Sequence, residues 1–116
     1  MLFAPMTDIR FRLDHHQLSI ACNVMATLID EEPTGEALSM LHSIVLRLHT
    51  RLSKRLPEKR LEYGLALPVH DALALRRVFL GALEWMEGDR HKMELRLMLG
   101  ILDPLLTRYT IIKSNL

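Results

Sequence analysis

"IRFRLDHHQL", Ile9 to Leu18, decides how this chain begins to fold. Its first half reads as extended. Its second half sets two adjacent histidines behind an aspartate, which is either a metal site or the start of a helix. With Asp14 as N-cap, His15, His16 and Gln17 fill the first turn and Leu18 follows. The Asp14 carboxylate can then accept from a free backbone N–H, and the Gln17 side chain can reach back to the N–H of Asp14, a capping box. Leu13 and Leu18 flank the cap where a hydrophobic staple requires apolar residues. A metal accounts for less, because adjacent helical residues point about 100° apart and His15 and His16 do not readily grip one ion. The helix start is the reading adopted, and no metal ligand is assigned.

The triplet Asp14-His15-His16 resembles the one that the DHH phosphoesterases carry after a strand. The likeness covers three residues, and the further aspartate motifs of those much larger proteins are absent here. None of their chemistry is carried over.

Downstream, three more segments carry a helical period. The first helix runs from Asp14 to about Glu31, stopped by Pro33, with Leu18, Ala21, Met25, Leu28 and Ile29 as its core stripe. The second spans 34–56, with Leu38, Leu41, Val45, Leu48, Leu52 and Leu56 as one seam. His42 and His49 border that seam and are expected to pack against leucine. Residues 57–67 read as a connector, with one short turn closed by Gly64. The third helix, 68–87, opens on Pro68 and is apolar over most of its circumference, with His70, Arg77 and Glu84 as its polar stripe. Gly88 closes it and Asp89 caps the fourth, 89–103, making an antiparallel hairpin. Asp103–Pro104 reads as a kink or as the start of a new short helix. Residues 104–116 are a short helix or an extended tail, in which "RYTIIKS" is β-branched enough to pair with "DIRFRL".

The expected fold is therefore all-α: one domain over 1–116, an antiparallel bundle of four main helices behind an extended segment, 1–13. Composition agrees, since 49% of the 116 residues are hydrophobic but only 5% aromatic, and 24 are leucine. Such a core suits packed helices better than a sheet.

Composition also narrows function. A formal net charge of +1 is small for a dedicated nucleic-acid-binding domain. The N-terminus lacks a signal peptide's apolar core, and "HHQLSIACNVMATLI" is short for a bilayer. A cytoplasmic protein without a membrane segment is expected. Cys22 is the single cysteine, so an intrachain disulfide is impossible. It lies beside the core stripe with no base recognisably placed to activate it. The chain has no Glu-x-x-His, no His-Glu-x-x-His, no glycine-rich phosphate loop and no serine nucleophile elbow. His91 and Glu94 have only the reverse spacing. No enzyme and no cofactor are expected; a metal-dependent enzyme is the least favoured reading.

Two candidate surfaces stand out. Arg47, Arg51, Lys54, Arg55, Lys59 and Arg60 form a basic segment broken by one acid, Glu58, which is either a solvated face or a patch for phosphate or an acidic partner. The second is a homodimer interface. The third and fourth helices have more apolar surface than one small bundle covers, and at most one of them can sit centrally among the others. Ala74, Gly81 and Gly88 form a line of small residues, with Trp85 beside it as the best anchor for a contact. Arg76 and Glu94 lie inside apolar arcs. Counted from the hairpin turn they are offset by roughly 10 Å, so each meets another segment or the two meet across a twofold axis. The expected function is that of a self-associating adaptor, scaffold or regulator acting through protein–protein contacts. The alternative is weak binding of nucleic acid or an acidic partner through the basic segment.

Overall fold

The computed structural model describes residues 8–31 and 34–114, with side chains described as far as Arg108. The order of elements is β1 (Ile9–Asp14), α1 (His15–Ile29), α2 (Glu36–Ser53), a 3-10 turn (Leu56–Glu58), β2 (Glu62–Leu67), α3 (Val69–Trp85) and α4 (Asp89–Ser114). Residues 1–7 of the expected extended segment, the expected stop at Pro33 and residues 115–116 of the tail lie outside the described residues.

The all-α expectation is overturned by a two-stranded antiparallel sheet. β1 pairs with β2 so that Ile9 faces Leu67, Phe11 faces Leu65 and Leu13 faces Tyr63. All six of those side chains are buried, whereas Arg10, Arg12, Asp14, Glu62 and Gly64 are exposed. Successive strand residues point to opposite faces, so one face of the ribbon joins the helical core and the other meets water. The expected connector, 57–67, therefore contains a structural strand. Gly64 does not close a turn; it sits opposite Arg12 on the outward face, where a missing side chain costs no packing. A two-stranded ribbon is marginal alone. This one is held by its partners, β1 against α1 and α4, and β2 against α1 and α3. The expected pairing of "RYTIIKS" with "DIRFRL" is replaced by β1–β2, and the tail continues α4.

The opening motif folds as a capping box. The Gln17 N–H donates to Asp14 Oδ1 at 2.7 Å, and the Asp14 N–H donates to Gln17 Oε1 at 3.1 Å. Leu13 and Leu18 are both buried. Since Asp14 is also the last residue of β1, this one aspartate turns the strand into the helix. Replacing Asp14 by alanine is expected to cost about 1 kcal/mol in denaturant unfolding, and replacing His15 and His16 by glutamine less.

α1 packs against α2, α3, α4 and both strands. It, and not α3 or α4, is the central helix. Leu18, Ala21 and Met25 have no exposed surface. α4 is not split at Pro104; it runs through that residue to Ser114. An interior proline removes the donor to the carbonyl four residues earlier, here Gly100. Gly100 and Pro104 both face outward, so solvent can take the donor's place.

α3 ends at Trp85, two residues sooner than expected. Gly88 has φ +96, which favours glycine, and its carbonyl accepts from the Lys92 N–H in the first turn of α4. Across this hairpin Arg76 Nε donates to Asp103 Oδ1 at 2.6 Å. Neither Glu94 nor a twofold axis is needed to partner Arg76. In an antiparallel pair, residues equally far from the turn come level, and Asp103 lies about as far beyond Gly88–Asp89 as Arg76 lies before it.

Candidate functional site

The two histidines of the opening motif diverge. The His15 ring lies 6.1 Å from that of Tyr63, and the His16 ring lies 6.5 Å from that of His91. Among the described residues, no three of His, Cys, Asp and Glu gather to hold a metal ion. His42 does more than pack against leucine. Its Nε2 is 2.9 Å from the carbonyl of Ile29, the last residue of α1. A carbonyl only accepts, so Nε2 carries the proton and closes the end of that helix.

Much of the basic segment is bonded within the chain. Arg47 Nη2 donates to Asp71 Oδ1 at 2.6 Å, joining α2 to the first turn of α3. Arg51 donates to the Ala66 carbonyl at 3.2 Å, and Arg55 donates to the Gly64 carbonyl at 2.6 Å while lying 5.5 Å from the centre of the Tyr63 ring. Arg51 ties α2 to β2, and Arg55 ties the start of the 3-10 turn to the same strand. Lys59, at φ 51, ends the 3-10 turn, and Arg60 pairs with Glu58 at 3.5 Å. Arg47, Arg51 and Lys54 line an open depression on α2 with Ser43, Leu46 and Thr50. The first two already hold partners there. Sequence reading missed this role because the acceptors are one aspartate and two carbonyls of a strand it had not recognised.

The residues expected at a dimer interface separate into two groups. Ala74 is buried within the chain, Arg76 is held by Asp103, and Glu94 lies at the start of α4, half-buried. Gly81 and Trp85 come together on the surface, where they line a groove of about 160 Å³. α1 supplies Val24 and Leu28, α2 supplies Leu41, and α3 supplies Val78 beside Gly81 and Trp85. Trp85 is 51% exposed. Charge at the groove comes from Glu31, just beyond α1, and from Arg77. No sequence signal marks a groove whose walls come from three separate helices.

Cys22 is buried, and burial pushes its thiol up to about 11 from the ordinary 9.0. Folding thus favours the neutral thiol, a stabilisation that is complete below pH 9 and lost as pH rises toward 11. Alkylation is expected to be slow in the native protein and fast in denaturant at mildly alkaline pH. The stability loss between pH 9 and 11 should shrink in Cys22→Ala.

Together these features define a small, mostly helical fold with a two-stranded ribbon, an apolar groove between α1, α2 and α3, and an open depression on α2. Comparison with protein-family models, with curated proteins and with solved structures gave no match.

Proposed function

We propose that this chain is a non-catalytic protein that works by self-association, as a homodimer, in an adaptor, scaffold or regulatory role. The observation that carries this reading is Trp85, a half-exposed tryptophan beside an open apolar groove. A large aromatic side chain at such a place is a typical anchor of a protein–protein contact. Further apolar side chains stand exposed on the same hairpin, Leu73 and Leu80 on α3 and Met93 and Leu97 on α4. The expected interface buries more than about 1,200 Å² in total. Light scattering at low micromolar concentration should give twice the chain mass, and the mass of a single chain would overturn the reading.

The reading places the protein in the cytoplasm, supported by its one cysteine, a free thiol. No helix among the described residues is long and apolar enough to cross a membrane. Binding of nucleic acid through the basic segment is the lesser reading, because Arg47, Arg51 and Arg55 already serve the fold. Affinity no tighter than micromolar and falling steeply with salt is the most it leads us to expect.

A further inference from the structure

The groove carries both halves of a contact. Trp85 stands at its edge, and the space beside it, about 160 Å³, is of the size that holds one aromatic ring. Glu31 and Arg77 stand at the same groove, both exposed. Neither makes an ion pair or side-chain hydrogen bond among the described residues, where five other ion pairs occur. A twofold contact is isologous: what residue i of one copy meets at j of the other, j meets at i. A surface bearing an anion, a cation, a ring and a slot for a ring is therefore complementary to its own copy. Gly81 strengthens the case. Glycine within a helix costs about 1 kcal/mol relative to alanine, yet a Cβ at Gly81 would meet nothing within 4 Å among the described residues. Nothing among the described residues requires the glycine, and a second backbone approaching closely would. Gly100 on α4 has equally open surroundings, so the charges and Trp85 make the choice between the two faces.

We infer that two copies pair through the groove between α1, α2 and α3, Trp85 of each entering the groove of the other and Arg77 of each facing Glu31 of the other. This rests on the self-association proposed above and gives it a location. The competing surface is the outward stripe of α4, Met93, Leu97, Gly100 and Pro104, all exposed. Its exposed flanking charges are Asp89, Arg90, Arg96 and Arg108, three cations to one anion, while Asp103 is taken by Arg76. A second copy there brings more like than opposite charges together, which weakens association.

Charge reversal tests the inference. Each dimer contains the Arg77–Glu31 contact twice, so Arg77→Glu should raise the dimer dissociation constant at least about tenfold. Arg77→Glu combined with Glu31→Arg should restore it to within about threefold of the original. Both positions are exposed, and circular dichroism melts check that the variants fold. Trp85 is the only tryptophan, so its emission should shift to the blue as the wild type dimerises. A dimer that survives Arg77→Glu, or that is broken instead by Leu97→Glu, overturns the groove interface and leaves the self-association reading standing. A monomeric wild type removes both.

Discussion

Replacing Tyr63 by alanine is expected to cost about 3–5 kcal/mol. Domains of this size are typically stable by only about 5–15 kcal/mol, so the variant should melt about 12–20 °C lower, at roughly 4 °C per kcal/mol. The ring is completely buried. It faces Leu13 across the sheet, with the His15 ring and the Arg55 guanidinium beside it. Its hydroxyl accepts from the Arg60 N–H at 3.1 Å and reaches the Leu56 carbonyl at 3.4 Å. One side chain thus ties β2 to β1, to the start of α1 and to the turn before β2. Alanine leaves a large void there and removes the acceptor for Arg60. Tyr63→Phe keeps the ring and should cost only about 1 kcal/mol, the net worth of the hydrogen bonding. Thermal and urea unfolding by circular dichroism measure both. Equal costs for alanine and phenylalanine would mean that the ring does not fill the core.

Arg47→Ala is expected to cost about 2 kcal/mol. Asp71 is the one buried acid among the described residues, with its side chain 5% exposed, and Arg47 reaches it from a position 68% exposed. Losing Arg47 leaves a desolvated carboxylate without its cation. That costs about 3–5 kcal/mol where both partners are buried, and less here because the arginine side is open to solvent. Losing Asp71 instead frees an arginine that water can solvate. Asp71→Ala should therefore cost less than Arg47→Ala, although Asp71 is the buried member. In the double variant part of the Arg47→Ala cost should return, giving a coupling of about 1 kcal/mol or more by double-mutant cycle. Strict additivity would mean that the short contact contributes nothing to holding α2 on α3.

The features legible in the sequence share a property: each is local. Asp14, Gln17, Leu13 and Leu18 lie within six positions, so their capping box could be written down before any packing was known. The seam of α2 and the hairpin at Gly88–Asp89 could be read the same way, from spacings of three and four and from one glycine. Helix ends were less legible. α3 stops at Trp85, before the acid and glycine that suggested its end, and α4 continues through a proline that suggested a break.

What escaped was every feature made by residues far apart in the chain. A helix bonds to itself, and its period shows in a single segment. A strand bonds to another strand, and β2 takes its partner from about fifty residues away. "EYGLAL" alone, with glycine inside it, gave no sign that β1 would complete it. The same holds for Asp103 as the partner of Arg76, for Asp71 as the partner of Arg47, and for the carbonyls of β2 that hold Arg51 and Arg55. The sequence by itself determined four helices and their first cap. Only the tertiary structure decided that α1 lies at the centre, that a ribbon closes the core, and that Gly81 and Trp85 share a groove with Glu31 and Arg77. Burial and pairing depend on which surfaces meet, and helical period carries no record of that.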